Sequence, residues 1–555
     1  MRAITQLWPR TEATLASGGP LVADSGVMDL AQDREAARRR AFAIISHPDA
    51  GKTTLTEKLL LYARAIHLAG SVKSRKASKH ALSDWMAIEK ERGISVTSSV
   101  LQFEHQGKVL NLLDTPGHAD FSEDTYRVLA AVDSAVMLMD HSKGVEARTK
   151  KLFEVCRLRK VPVITFMNKL DRAGLEPLAL VDDVSHQLNL KVAPLNWPIG
   201  MGREFRGVID LATKDVLLFE AEAHGTQIIE AKRVSFEEAK TLVEPHLMAR
   251  AEEELELVAM AGEQWSVEGF LSGDLSPCFW GSAMTNFGVE PLLEFLALQA
   301  APPGPRSTED GTVIYPKDER FSGFIFKIQA NMNPKHRDRI AFLRVVSGHF
   351  ERDMDVVIGR NQQTMRMANP HSFMAQERSL LESAYPGDIV GIHDPGKLRV
   401  GDTLAEGGPM RFAGIPRFAP EHFGMLRLSD PLKRKAMDTG IEQLAHEGVI
   451  QLFYRIGVDR TNPYLGAVGL LQFEVLKERL KHEYGVEAKF EALPFKLARW
   501  IGGAPEALTW LKGSSSFTVM EDRNGHPVLL CDSDWWINYA KQNAKGVELY
   551  DIEPL

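Results

Sequence analysis

The residues best suited to chemistry lie in SHPDAGKT, positions 46–53, a glycine-lysine-threonine turn set between the apolar run AFAII and the helix-period run TTLTEKLLLYARAI. This is the phosphate-loop pattern G-x-x-x-x-G-K-[ST] with serine in place of the first glycine, and a strand before it and a helix after it are the context the pattern requires. In that setting backbone N–H groups and the helix N-terminus cradle phosphates, Lys52 neutralises the outer phosphate oxygens, and Thr53 offers a hydroxyl to Mg2+. Ser46, His47, Pro48, Asp49, Ala50, Gly51, Lys52, Thr53 and Thr54 are therefore the expected nucleotide contacts of this turn.

Three further motifs follow in order. DTPGH, positions 114–118, ends the apolar run VLNLLD. There Asp114 would reach Mg2+ through water, with Thr115 and Pro116 beside it, and Gly117 would present an N–H to a γ-phosphate in a turn that differs between triphosphate and diphosphate states. His118, directly after DTPG, is placed to orient an attacking water. In FMNKLDR, Asn168, Lys169 and Asp171 fall at the end of the strand-like run VPVITFM, where a carboxylate can accept both N–H groups of the guanine edge. Gly281, Ser282 and Ala283, at the end of CFWGSA, would offer backbone N–H to the base carbonyl. Together these imply a magnesium-dependent GTPase, and NKLD speaks against an ATPase or kinase.

The elements that must hold these motifs are legible around them. AFAII (41–45), VLNLLD (109–114), SAVMLMD (134–140), VPVITFM (161–167) and CFWGSA (278–283) read as strands of a buried parallel sheet alternating with helices, and ligands in such sheets sit at the strand carboxyl ends. The stretch between Asp171 and Gly281 is too long for one helix and one strand, and reads as an inserted subdomain at about 195–265. PPGPR at 302–306 marks a boundary, followed by short β-rich runs that fit a small β-barrel and then by mixed strands and amphipathic helices. The expected organisation is a disordered extension at 1–30, a multidomain α/β P-loop GTPase unit at 31–305, a β-barrel at 306–412 and an α+β domain at 413–555.

At 555 residues, with 44% hydrophobic and 25% charged residues, several domains are expected, and no apolar run approaches a membrane span. Cys156, Cys278 and Cys531 show no metal or disulfide spacing, which suits a reducing cytoplasm. The net charge of −8 excludes a simple polycation, so an RNA partner would have to be met by local basic patches such as SVKSRKASKH (71–80) or LKRKA (432–436). Residues 1–27 do not read as a secretory signal, and the start could be Met28.

SDWMAIEKERGISVTSSV (83–100) and NLLDTPGHADFSEDTYR (111–127) resemble the ribosome-dependent translational GTPases related to elongation factor G, in wording closest to the bacterial peptide chain release factor 3 family. The resemblance implies that Lys52 contacts the β and γ phosphates, Asp49 faces them, and Thr53 and Ser95 supply hydroxyls to Mg2+, Ser95 from the first switch. Pro48 stands where related factors carry a bulky aliphatic gate residue, leaving Ile94 as the wing over the water. His118 becomes the residue pushed into place by the sarcin-ricin loop of large-subunit RNA. With no arginine finger found in cis, hydrolysis is expected to be slow until a partner activates it.

The same resemblance implies a cytoplasmic monomer whose partners are the ribosome and class I release factors, with neither DNA nor membrane among them. Its task would be to promote dissociation of class I factors after peptide release. A translocase-like or stress-associated ribosomal GTPase is the alternative, disfavoured because the chain lacks room for the two extra domains elongation factor G carries beyond its equivalent of about residue 490. A GTP-dependent protein-binding switch acting off the ribosome is the alternative from another class.

Overall fold

β1 (Arg39–Ser46) is buried along its whole length, because it is the central strand of a sheet covered on both faces. The computed structural model describes residues 25–66, 99–116, 122–219, 231–330, 339–374, 377–415, 419–457, 460, 462–551 and 553. Around β1 the order of strands is β2 (Ser99–His105), β3 (Lys108–Asp114), β1, β4 (Ser134–Asp140), β5 (Val163–Asn168), β11 (Leu275–Trp280) and β6 (Lys191–Pro194). All pair in parallel except β2, which runs antiparallel to β3.

The strands carry a period of two that feeds two cores. Ala43, Ile45, Met137 and Met167 enter one apolar cluster, and Phe42, Ile44, Leu138 and Phe166 enter the other. Helix α2 (Lys52–Tyr62) covers the second face with Leu55, Leu59 and Leu60. The first face is covered by α3 (Ser122–Ala130), α4 (Ala147–Leu158) and α5 (Pro177–Leu188), through residues such as Leu129, Leu152, Phe153 and Val184.

Between β6 and β11 lies the insert, a four-stranded antiparallel sheet of β7 (Asn196–Ile199), β8 (Gly207–Asp210), β9 (Val216–Leu218) and β10 (Lys232–Val234). Helices α6 (Phe236–Leu242), α7 (Pro245–Ala261) and α8 (Val267–Ser272) follow it, and α9 (Val289–Leu298) then returns to the second face.

Helix α1 (Ser25–Arg38) corrects one expectation: residues 25–30, assigned to a disordered extension, are helical. The run DLAQDREAAR is rich in good helix formers, and Gln32 Nε2 anchors it by donating to the Pro316 carbonyl at 2.9 Å. Strand boundaries also shift. β11 stops at Trp280, so Gly281, Ser282 and Ala283 lie in the loop beyond it.

The next domain is an antiparallel barrel whose longest strands are Ser322–Ala330 and Arg339–Ser347. Its His371–Met374 strand meets β2 in parallel at Met374 and Gln102, which joins the barrel to the GTPase-like sheet. Arg344 pairs with Asp133 at 2.5 Å and Arg39 with Asp388 at 3.1 Å across the same boundary. The last domain is an eight-stranded sheet packed by α10 (Arg434–Glu447), α11 (Leu470–Tyr484), α12 (Pro505–Gly513) and α13 (Asp534–Asn543), an α+β arrangement.

Candidate nucleotide-binding site

The 46–53 turn is shaped by two left-handed residues, Asp49 at φ 65° and Gly51 at φ 102°. Such turns make consecutive backbone N–H groups converge on one point, an anion cradle. Gly51 is also the N-cap of α2 and brings no side-chain acceptor to its first amides. Only glycine suits this place, since a Cβ on Gly51 would stand 2.5 Å from Asn168 Nδ2.

Asp114 ends β3 opposite Ile44 in the register with β1, which brings it beneath α2. Its Oδ1 lies 2.5 Å from Lys52 Nζ, and the two side chains are only 2% and 6% exposed. A buried carboxylate and ammonium each need the other, so the pair is held in place by the cost of separating it. Thr115, next in the chain, donates from Oγ1 to the Ile44 carbonyl at 2.6 Å and pins the start of the DTPGH turn to β1. Arg148 Nη2 donates to the Pro116 carbonyl at 3.4 Å. His47 faces Glu146 at 3.1 Å, and burial holds its imidazole below its ordinary value against that carboxylate.

Asn168 is the hub between the two halves of the site. Its Nδ2 donates to the Ala50 carbonyl at 2.7 Å, and its Oδ1 accepts from the Ala283 amide at 2.8 Å. One side chain thereby ties the phosphate loop to the 281–283 loop. Ser282 Oγ donates to Asp171 Oδ1 at 2.6 Å, orienting that half-buried carboxylate. Gly281 bonds to the β5 end through its N–H to the Met167 carbonyl at 3.0 Å, and its carbonyl accepts from Leu170 at 3.2 Å.

Lys169 adopts a left-handed φ of 72° and lays its ammonium 2.6 Å from Asp140 Oδ2. Burial works to raise the Asp140 carboxyl, and the Lys169 ammonium with the Ser142 donors outweighs it, holding the group below its ordinary value. Asp140 was missed from the sequence, although it ends SAVMLMD as Asp114 ends VLNLLD.

Of the expected site residues, the structure brings Ser46 to Thr54, Asp114, Thr115, Pro116, Asn168, Lys169, Asp171, Gly281, Ser282 and Ala283 to the carboxyl ends of adjacent strands. Gly117, His118, Ile94, Ser95 and the basic run 71–80 lie outside the described residues. A cavity of about 490 Å³ lies elsewhere, at the junction of the three domains, lined by Arg127, Arg360, Arg399, His446 and Arg523 among others. Cys156, Cys278 and Cys531 are buried and unbonded to one another; desolvation pushes all three thiols up, Cys156 and Cys531 to about 12, which leaves them inert. Among the described residues no helix is long and apolar enough to cross a membrane.

Three family models match successive parts of the chain. Residues 37–302 match the elongation factor Tu GTP binding domain, 320–407 match elongation factor G domain 2, and 412–541 match the class II release factor RF3 C-terminal domain. The chain is 52% identical to "Peptide chain release factor 3" of Symbiobacterium thermophilum, over 92% of this chain and 97% of that one. It is 49% identical to the protein of the same name from Acaryochloris marina, over 95% and 97%. The crystal structure of ttk003000868 from Thermus thermophilus superposes with a TM-score of 0.65 over 88% of this chain and 72% of that one, at 23% identity, a likeness of fold.

Proposed function

The chain belongs to the peptide chain release factor 3 family, and from that membership we propose how its site works in translation termination. It is a GTPase of termination that promotes release-factor recycling on the ribosome. The observation that supports the site reading is the Asn168 bridge, which ties the 46–53 turn to the 281–283 loop at one spacing.

In this reading the amides of 49–53 bind the β and γ phosphates and Lys52 neutralises their oxygens. Asp171 accepts from the two guanine N–H groups while Ser282 and Ala283 complete the base edge. Thr53, Asp114 and Ser95 would hold the magnesium ion. A hydroxyl and a carboxylate flanking Lys52 are the hard oxygen donors such an ion takes. When bound, the ion draws charge from the phosphate oxygens. With nucleotide bound, Lys52 would turn from Asp114 to the phosphate oxygens and leave that carboxylate to the ion.

His118 orients the attacking water once the ribosome's sarcin-ricin loop engages the factor, and turnover is slow before that. The factor acts as a monomer in the cytoplasm. Binding of the GTP form to a ribosome carrying a class I release factor expels that factor, and hydrolysis then frees the GTPase. The free energy drives a conformational change, with no covalent chemistry on the peptide.

The test is the rate at which a labelled class I release factor leaves ribosomes after peptide release, with this protein and GTP, GDP or no nucleotide. Acceleration confined to GTP is the expected result. Ribosome-stimulated hydrolysis without acceleration would assign the protein another client.

A further inference from the structure

His141 follows the Asp140 that holds Lys169, and it is completely buried. Its backbone N–H donates to the Asn168 carbonyl at 3.1 Å, and its ring Nδ1 lies 3.2 Å from that same oxygen. A carbonyl only accepts, so Nδ1 carries the hydrogen and the ring is held as that tautomer. Burial also keeps the imidazole below its ordinary value, hence neutral. The carbonyl of His141 in turn accepts from Leu175 at 3.3 Å, so the residue brackets the 168–175 loop from both ends.

The other edge of the ring packs on Gly174. A Cβ built there would run into Nε2, Cδ2 and Cε1 of His141, so the glycine is what admits the imidazole. Asn168 carries the bridge to Ala50 and Ala283, and Lys169 and Asp171 follow it within three residues. A shift of the Asn168 carbonyl would move the whole base-reading segment.

We propose that His141 is a positioning residue for base recognition, its imidazole clamping the Asn168 carbonyl against Gly174 so that Asp171 stands in register to accept both N–H groups of guanine. The inference rests on the reading of 168–171 as the base-binding segment. His141 touches no part of the nucleotide and acts through the loop. Its effect therefore belongs to discrimination between bases rather than to hydrolysis.

The experiment measures dissociation constants for GDP and for inosine diphosphate, which lacks the 2-amino group, on the full chain. His141→Ala should lower the preference for GDP by roughly three- to tenfold, the size of one hydrogen bond's net contribution. A folding defect reduces active protein equally for both ligands and leaves that ratio unmoved. His141→Asn, whose amide can replace the Nδ1 hydrogen bond, should keep most of the preference.

Gly174→Ala, which displaces the ring, should reproduce the loss in the wild type. The same change should add nothing in the His141→Ala background, and it carries the test if His141→Ala does not fold. An unchanged GDP preference in His141→Ala, or in Gly174→Ala when the first variant is insoluble, would overturn the proposal. Asp171→Asn separates the two levels: a shift to xanthosine diphosphate with no effect at His141 rejects the clamp alone. No shift rejects the base-site reading and the clamp with it.

Discussion

Arg127, on α3, donates from its guanidinium to the Glu447 carbonyl at 3.2 Å, bonding the helix that follows DTPGH to the last turn of α10 in the C-terminal domain. Gly448, left-handed at φ 80°, makes the room, since a Cβ there would collide with the guanidinium. The same arginine pairs with buried Glu123, and the Glu447 carboxylate accepts from Arg479 at 2.7 Å. These bonds link α3 through α10 to α11.

Arg127→Ala should cost roughly 3 kcal/mol in the transition that reports domain docking, because it leaves Glu123 buried without its partner. Chemical denaturation would measure it, and Gly448→Ala should lower the same transition by displacing the arginine. Docking as stable as the wild type in both variants would show that the bond carries no weight.

Lys52→Ala removes the proposed phosphate contact and strands Asp114, 2% exposed, without its cation. GDP and GTP affinity should fall on the order of 100-fold, the usual cost of truncating one side of a buried charged contact. Equilibrium binding of a fluorescent guanine nucleotide would show it.

Asp171→Asn exchanges an acceptor for a donor on the base edge, so preference should move from guanosine to xanthosine nucleotides by at least about tenfold. Asn168→Ala should instead weaken both, because it parts the phosphate loop from the 281–283 loop without altering what the base edge reads.

His118→Ala should leave nucleotide affinity near wild type while ribosome-stimulated turnover falls about 100-fold or more, the scale of misplacing a reacting group. Single-turnover hydrolysis with ribosomes in excess separates this from weak ribosome binding.

His446, at the three-domain junction, is pushed down to about 3, first by burial and then by the field of Arg523, Arg339, Arg399 and Arg360. The folded protein therefore keeps it neutral while the unfolded chain binds a proton near pH 6.5. Its contribution is whole above that value and declines as pH falls towards 3, since the unfolded state then binds more protons. Melting temperatures taken across that range should show the decline, and His446→Gln should flatten it.

The sequence by itself determined the chemistry. SHPDAGKT, DTPGH and NKLD are contiguous, so a GTPase can be read from them directly, and the roles proposed for their residues rest on that local pattern. The buried parallel strands were legible for the same reason, as runs such as SAVMLMD have no polar face to disguise them. β2 was not: SVLQFEH is only partly buried and pairs antiparallel beside the barrel, so no apolar run announces it.

Only the tertiary structure decided which distant residues hold the motifs still. Asn168 reaches Ala50 and Ala283, His141 fits against Gly174, and Arg127 finds the Glu447 carbonyl at a separation of 320 residues. Hydrogen bonds tolerate only a few tenths of an ångström, and between segments this far apart that spacing is set by how helices and strands pack, a property no local pattern encodes.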